Sequence, residues 1–240
     1  MWVCKAMLPI HIRRRLLILC KLVKKGDRVL DVGCGVGNYT ASILGYLPVR
    51  ITAIDYDKAS IDYAKAHNKH KNVEYIVASG EKFRSDSPYD VIVCSHVLEH
   101  TPFMELLLGN MRKLLKNNGR LFLAVPNGYG CFEIENFVPN MIMRTGWGHR
   151  MVKWLRGRSV KDSLNYDSPH IHHFTVADIE KLLGKTGWKV VKMYNEQLLG
   201  GVITDRTVLR LPMVAKWNMS LGYRLPSWMA NGWIFVCEKI

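Results

Sequence analysis

The sequence predicts an α/β fold in which helices cover both faces of a mostly parallel β-sheet. Two observations carry this prediction. Short apolar runs typical of buried strands alternate with helical patterns over residues 28–126, and such alternation favours parallel strands joined by crossover helices. Three glycines at alternate positions, Gly33, Gly35 and Gly37, follow the first apolar run. Glycine permits a tight turn there and the close approach of a ligand to the backbone.

The predicted elements follow one another in chain order. Pro9 opens a helix in the N-terminal segment 1–25, which carries seven Lys or Arg and no acid. Its apolar residues share one face: Ile12, Leu16, Leu19, Leu22 and Val23. The first five strands are predicted over residues 28–32, 50–54, 73–77, 89–94 and 120–125. Helices are predicted between them over residues 38–46, 57–68 and 102–116, with a turn at Asn117-Asn118-Gly119.

Two long segments then break the alternation of strands and helices. Residues 127–173 and 196–231 are too long for ordinary connections, so we expect irregular insertions that are functional. A helix over 176–185, a strand over 187–193 and a last strand over 233–237 complete the predicted elements. The chain is long enough for one sizeable core, and we predict a single domain over residues 1–240.

Composition excludes several classes of protein. No apolar run reaches the 18 residues or so of a membrane span, and no small-residue cleavage site follows the short apolar run Leu16–Cys20, so we expect no signal peptide. The six cysteines form no C-x-x-C pair, which argues against a disulfide framework or zinc ribbon and favours a cytoplasmic location. The net charge of +14 indicates an anionic partner.

The glycine-rich stretch carries a family resemblance. Residues 31–37 read D-x-G-x-G-x-G, whereas the dinucleotide fingerprint G-x-G-x-x-G would need glycine where Asn38 stands. The stretch resembles motif I of the class I S-adenosylmethionine-dependent methyltransferases, whose loop wraps the amino-acid end of the cofactor. The resemblance covers residues 26–127 strongly and 174–240 loosely. It implies a Rossmann-like sheet of seven strands whose last two form a hairpin, with the last strand antiparallel.

This resemblance implies S-adenosyl-L-methionine as cofactor and S-adenosyl-L-homocysteine as product. Asp55 ends the second strand, where an acceptor-only carboxylate can accept both ribose hydroxyls, and Tyr56 would flank the adenine. Ser79 stands where relatives commonly have the Asp that holds the adenine amino group. The expected cofactor-binding residues are Asp31, Gly33, Cys34, Gly35, Gly37, Asp55, Tyr56, Ser79, Gly80, Glu81, Cys94 and Ser95.

The candidate chemistry lies in a stretch that reads H-x-x-E-H. His96, Glu99 and His100 would share one face of a helix, and three more histidines follow at 170, 172 and 173. The stretch resembles E-x-x-E-H in ubiquinone-pathway O-methyltransferases and small-RNA 3′-end 2′-O-methyltransferases, where these side chains are linked to a divalent metal. Here His96 replaces the first Glu. We favour the V-L-E-H turn of metal-free relatives and predict no metal ligands, with a divalent metal as the less favoured alternative. His96 and His100 are the candidate catalytic bases.

The two insertions bear on the methyl acceptor. The first contains six Lys or Arg and no acid over residues 141–161, interleaved with Met and Trp, a mixture that suits a membrane surface or a nucleic acid. The second adds Trp217, Met219, Trp228 and Met229. This apolar excess favours a small hydrophobic or lipid-linked acceptor, with peripheral membrane contact through the first insertion. The alternatives are an RNA or nucleoside 2′-O-methyltransferase and a non-catalytic cofactor-binding subunit; the glycine spacing disfavours a nicotinamide dehydrogenase.

Overall fold

The computed structural model of the protein describes residues 10–38, 40–131, 170–200, 204, 209 and 211–240. Elements are numbered along these residues. The strands are β1 Arg28–Val32, β2 Arg50–Asp55, β3 Val73–Val77, β4 Tyr89–Ser95, β5 Leu115–Pro126, β6 Trp188–Asn195 and β7 Gly232–Lys239. The helices are α1 Ile10–Leu22, α2 Thr40–Leu44, α3 Lys58–His67, α4 Met104–Leu114, α5 Val176–Lys185 and α6 Pro212–Arg224.

The seven strands form one sheet in the order β3-β2-β1-β4-β5-β7-β6. Strands β1 to β5 run parallel to one another, and β7 is antiparallel to both β5 and β6. The predicted seven-stranded Rossmann-like fold with an antiparallel last strand is therefore confirmed. Because the chain moves outward from β1 to β3 and then returns to the other side of β1, a crevice opens at the carboxyl ends of β1 and β4, where such sheets bind ligands.

Helices cover both faces of the sheet, and each face has its own apolar core. Apolar residues of α1, α2 and α3, such as Leu19, Leu44 and Ile61, pack on one face. Residues of α4 and α5, such as Leu108 and Leu183, pack on the other. The inner parallel strands β1, β2 and β4 are mostly buried and read as nearly continuous apolar runs rather than alternating ones, whereas the edge strand β3 buries only Tyr75. In the part of the chain described above, no helix is long and apolar enough to cross a membrane.

Two predicted features are wrong. Residues 117–119, expected as a turn, lie inside β5. Tyr89 pairs with Leu115, and Val91 pairs with Arg120. Residues 116–119 of β5 therefore form an irregularity in the pairing with β4, and β5 is paired with β4 on both sides of it. The second insertion, expected to be irregular, contains helix α6, which begins at Pro212 because proline suits the first helical position.

Much of the first insertion lies outside the described residues, which omit 132–169. The expected basic and tryptophan-rich stretch 141–161 is among them. Helix α1 buries Leu16 and Leu19 as predicted, but it also buries Ile18 and leaves Leu17 half exposed. The predicted bounds of the helices after α1, and of every strand but β5, lie within two residues of those observed. Strand β5 begins at Leu115, five residues before its predicted start.

Candidate active site

The glycine loop after β1 combines two tightly packed glycines with an open one between them. All three have positive φ, 71° at Gly33, 52° at Gly35 and 73° at Gly37, which favours glycine. A Cβ on Gly33 would lie 2.3 Å from Val97 Cγ2, and one on Gly37 would lie 2.8 Å from the Tyr75 hydroxyl. A Cβ on Gly35 would meet nothing within 4 Å. The loop is therefore fixed by packing at its ends and leaves an open backbone surface at its centre.

Asp55 holds this loop from the end of β2. Its Oδ2 accepts a hydrogen bond from the Gly35 N–H at 2.8 Å, and its Oδ1 accepts one from the Asp57 N–H at 2.9 Å. Burial raises the pKa of Asp55, and these backbone donors work against that rise. Each carboxylate oxygen can accept more than one hydrogen bond, so the geometry is compatible with the expected ribose contacts. Tyr56, beside it, has 68% of its surface exposed.

Asp31 lies beneath the loop and is almost fully buried. Burial and the nearby charge of Asp55 raise its pKa to about 7, although the Ala41 N–H donates a hydrogen bond to it. Burial also raises the pKa of the Cys34 thiol, and the two carboxylates add to this rise. A cation bound above the loop would favour the ionised form of Asp31. Cys34 is accordingly a neutral thiol in this setting.

The segment after β3 supplies a second carboxylate through Glu81. Ser79 Oγ donates to Glu81 Oε2 at 2.6 Å, and Thr101 Oγ1 donates to Glu81 Oε1 at 2.8 Å. Burial would raise the pKa of Glu81, but these hydrogen bonds bring it below its usual value. Gly80 packs against Leu107, where a Cβ would lie 2.6 Å from Cδ1. An ionised carboxylate thus stands two residues beyond Ser79, the position where relatives commonly have Asp.

The segment after β4 brings the candidate catalytic residues against the glycine loop. Val97 contacts Gly33, and residues Leu98–His100 form a single 3₁₀ turn rather than the α-helix on which the shared face was argued. His96 has φ of 57°, the only positive value at a non-glycine residue among those the structure describes. Such a conformation is costly, and residues held in it cluster at functional sites. The side chain of Cys94 is buried in the core, and Ser95 ends β4 beside His96.

His96 and Glu99 form a hydrogen-bonded pair, with His96 Nδ1 3.1 Å from Glu99 Oε1. Glu99 is fully buried. Burial would raise its pKa, but the hydrogen bond from His96 and the charges of His96 and His100 bring it below the usual value. Among the described residues, neither His96 Nε2 nor Glu99 Oε2 has a hydrogen-bond partner, although both atoms are buried. The pair therefore offers one unused nitrogen and one unused carboxylate oxygen.

The segment 170–175, which precedes α5, is hydrogen-bonded to the backbone of Glu99. The N–H groups of Ile171 and His172 donate to the Glu99 carbonyl at 2.9 and 3.3 Å. His172 Nε2 lies 3.1 Å from the Thr101 carbonyl oxygen, so one of the predicted histidines supports the backbone. The ring of His170 meets that of His100 edge to face, with centroids 4.9 Å apart.

Three of these side chains form a donor set that fits a divalent cation. Glu99, His100 and His170 each offer one ligand atom, and these atoms all lie within 4.8 Å of one another. Two imidazoles and a carboxylate suit zinc and similar ions, and the unpartnered Glu99 Oε2 is consistent with this use. Sequence reasoning gave His170 no ligand role, because about 70 residues separate it from His100.

The ends of both insertions meet at the same edge of the sheet. Asn127, directly after β5, donates from Nδ2 to the carbonyl oxygens of Trp228 and Ala230 at 3.0 and 2.8 Å. The Gly128 N–H donates to the Phe174 carbonyl at 3.0 Å. The segments that leave β5, enter α5 and precede β7 are thus joined beside the His96–Glu99 pair, which is where an acceptor would approach.

Helix α1 borders this edge through charged residues that sequence reasoning did not single out. Glu196 lies just beyond the end of β6, and its Oε2 accepts a hydrogen bond from Arg15 Nη2 at 2.7 Å. The Arg14 guanidinium lies 3.4 Å from the centre of the Tyr223 ring in α6. These contacts tie α1 to the second insertion, and they pair residues that lie far apart in the sequence.

Comparisons with known proteins agree with this architecture. The family model described as "Methyltransferase domain" matches residues 9–193. A ubiquinone biosynthesis O-methyltransferase from Coxiella burnetii (strain Dugway 5J108-111) is 32% identical over 110 residues, which are 45% of this chain and 47% of the relative. A protein of the same name from Xanthomonas euvesicatoria pv. vesicatoria is 35% identical over 111 residues, 45% of this chain and 46% of the relative. Each match thus spans about half of the relative's length.

Solved structures share the fold across nearly the whole chain. A putative S-adenosylmethionine dependent methyltransferase from Listeria monocytogenes has a TM-score of 0.60 at 14% identity, covering 96% of this chain and 99% of that one. The Burkholderia thailandensis 1,6-didemethyltoxoflavin-N1-methyltransferase, with bound 1,6-didemethyltoxoflavin and S-adenosylhomocysteine, has a TM-score of 0.58 at 16% identity, covering 96% and 79%. At these identities the likeness concerns the fold. The family match shows that the chain belongs to the methyltransferase-domain family, and the solved structures show that it shares the fold of S-adenosylmethionine-dependent methyltransferases.

Proposed function

We propose that the protein, as a single domain over residues 1–240, transfers a methyl group from S-adenosylmethionine to an oxygen of a small hydrophobic or lipid-linked acceptor. The His96–Glu99 pair beside the glycine loop, in which Glu99 is fully buried and His96 is partly exposed, carries this proposal. Oxygen is supported by the curated relatives, which are named as O-methyltransferases. The cofactor would lie over Gly35, with Asp55 on its ribose side and Ser79 to Glu81 on its adenine side.

The reaction requires the acceptor hydroxyl to lose a proton as its oxygen attacks the methyl carbon of the sulfonium, while the carbon–sulfur bond breaks and S-adenosylhomocysteine leaves. The protein contributes mainly by positioning the two reactants and by taking up that proton. His96 suits the second task. Its Nδ1–H donates to Glu99 Oε1, which leaves the lone pair of Nε2 to accept the proton, and the ionised Glu99 stabilises the resulting imidazolium. His100 is the second candidate base.

The same residues support a metal-assisted variant of this function. Glu99, His100 and His170 would hold the divalent cation. When bound, such a cation supplies a positive charge that lowers the pKa of a nearby hydroxyl. His96 would then support Glu99 through its hydrogen bond, as outer residues commonly do for metal ligands. The two variants differ in whether His96 or the cation handles the acceptor proton.

Incubation with isotope-labelled S-adenosylmethionine and a panel of acceptors tests the proposed activity. The panel contains a phenol with a prenyl-like tail, the matching aniline and a short RNA. We expect label in the phenol, and rates at least ~100-fold lower in Glu99→Gln and His96→Gln, as for other lost acid–base groups. Label only in the aniline or RNA, or cofactor binding without transfer to any acceptor, would contradict the proposal.

Repeating the assay with a chelator distinguishes the two variants of the mechanism. If activity survives chelation, His96 is the group that accepts the acceptor proton. Activity that is lost and then restored by Mn²⁺ or Zn²⁺ assigns a role to the cation, and His170→Ala should then abolish the restoration. Ile171→Ala is the matched control, because Ile171 neighbours His170 and its backbone N–H still donates to the Glu99 carbonyl.

A further inference from the structure

Helix α6 exposes two of its large apolar side chains, Met213 and Trp217, and buries a stripe of small or polar residues. Met213 and Trp217 have 84% and 61% of their surface exposed. They lie on one stripe of the helix with Lys216, Ser220 and Arg224, which are also exposed. The opposite stripe, Ala215, Asn218 and Gly222, is buried. A helix packed on a globular domain normally has the reverse arrangement.

The inward stripe fixes this orientation. Asn218 Oδ1 accepts from the Leu199 N–H at 2.7 Å, and its Nδ2 donates to the Leu199 carbonyl at 2.8 Å. A Cβ on Gly222 would lie 2.5 Å from the backbone of residues 196–198, so only glycine allows this close packing. A rotation that buried Trp217 would break both hydrogen bonds and replace glycine by larger residues at the contact. The exposure of Met213 and Trp217 is therefore built into the fold.

The residues around this stripe have the composition of a membrane-interface segment. Leu211 and Trp228 flank α6 and are 59% and 71% exposed. No acidic residue occurs between Leu211 and Cys237, whereas Lys216 and Arg224 add positive charge. Tryptophan and methionine beside basic residues are typical of helices that lie on a bilayer surface. The net charge of +14 would draw such a surface towards an anionic membrane.

The stripe also lies close in the chain to the acceptor side of the sheet. Trp228, in the turn that follows α6, accepts a hydrogen bond at its carbonyl oxygen from Asn127, which directly follows β5. Asn127 lies at the edge of the sheet where the His96–Glu99 pair is found. A membrane in contact with this part of the chain would be near the site that the acceptor must reach.

We infer that Met213, Lys216, Trp217 and Arg224, called the α6 surface, dock on the surface of an anionic phospholipid bilayer. The inference deepens the proposed function and rests on it for the acceptor, because the bilayer is the phase that holds a lipid-linked substrate. Both the charge and the apolar side chains of the α6 surface favour an anionic bilayer as its partner. The basic pair attracts anionic headgroups, and the Met213 and Trp217 side chains enter the boundary between headgroups and acyl chains.

Co-sedimentation with vesicles tests the α6 surface independently of methyl transfer. The protein is mixed with vesicles of phosphatidylcholine alone or of phosphatidylcholine with phosphatidylglycerol. We expect binding to the anionic vesicles that weakens with salt. Lys216→Gln/Arg224→Gln should bind about 30-fold more weakly, about fivefold for each charge. Met213→Ser/Trp217→Ser should bind at least ~10-fold more weakly, because apolar area no longer enters the bilayer.

The matched control removes equal kinds of exposed side chain elsewhere. Tyr46 and Leu106 are 68% and 56% exposed, and Tyr46→Ser/Leu106→Ser should bind like the wild type. Trp217→Phe, which keeps an apolar ring, should bind normally but lose part of the tryptophan quenching caused by brominated lipid. Thermal melting and cofactor affinity of every variant should match the wild type, because these side chains do not support the core.

Three outcomes would overturn the inference. The first is no binding of the wild type to either vesicle type. The second is binding of Met213→Ser/Trp217→Ser as tight as that of the wild type, which would move any membrane contact elsewhere. The third is loss of RNA affinity in the α6 variants while vesicles are not bound, which would assign the surface to nucleic acid. None of these results depends on methyl transfer to a soluble phenol. Failure of the membrane inference can therefore be distinguished from failure of the proposed function.

Discussion

Replacing Gly35 by alanine separates cofactor binding from folding at the glycine loop. The φ of 52° there is unfavourable for alanine, at a cost of about 1 kcal/mol in the free energy of unfolding. The added Cβ meets no protein atom within 4 Å, so packing adds nothing to this cost. For a chain of this size, the melting temperature should fall by only about 2–4 °C.

The effect on cofactor affinity should be larger, because the new methyl group occupies the open surface of the loop. We expect affinity for S-adenosylmethionine to fall at least ~10-fold, equivalent to about 1.4 kcal/mol. Gly26 is the matched control. Its φ is 89° and its Cβ would also meet nothing within 4 Å, but it precedes β1 at the opposite end of that strand. Gly26→Ala should therefore lower the melting temperature similarly and leave affinity unchanged.

Calorimetric titration of the cofactor and thermal melts of the three proteins measure both quantities. Unchanged affinity in Gly35→Ala would refute the assignment of the open surface to the cofactor. An equal loss of affinity in Gly26→Ala would also refute it, because a general loosening of the fold would then explain both variants.

Three further predictions follow from the site. Because the folded pKa of Asp31 lies near 7, above its usual 3.8, its ionisation should lower stability as pH rises from about 4 to 7, by up to about 4 kcal/mol. The melting temperatures of wild type and Asp31→Asn should agree at low pH, separate between about pH 4 and 7, and stay apart by a constant amount at higher pH. His96→Gly should be about 1 kcal/mol more stable than His96→Ala, because φ is 57°, although both should lose activity; equal denaturant stability would contradict this. Gly33→Ala should destabilise through its 2.3 Å contact with Val97, and Val97→Ala should partly restore the melting temperature; no restoration would contradict it.

The elements that the sequence predicted best are those with local causes. Helix α5 was predicted with its observed bounds, Val176–Lys185; Thr175 and Asp178 form a capping box at its start, and such a box depends on residues three apart. Strands β1 and β3 are rich in apolar and β-branched residues, and both were predicted without error at either end.

The features that the sequence did not predict depend on distant contacts. The turn expected at residues 117–119 was outweighed by pairing of β5 with β4 on both sides of the register shift. His170 joins Glu99 and His100 only because the backbone of residues 171 and 172 bonds to Glu99. The orientation of α6 is set by Asn218 and Gly222 against residues 196–199, so its apolar pattern alone would have pointed the opposite stripe inward.

Identification of the atom that receives the methyl group tests the proposed activity most directly. The protein is supplied with S-adenosylmethionine labelled in the methyl carbon and a phenol with a hydrophobic tail, and the product is examined by nuclear magnetic resonance and mass spectrometry. We expect a methyl ether from the wild type and at least ~100-fold less of it from Glu99→Gln, which should still bind the cofactor. Label on nitrogen or carbon, or undiminished turnover by Glu99→Gln, would contradict O-methylation through the His96–Glu99 pair.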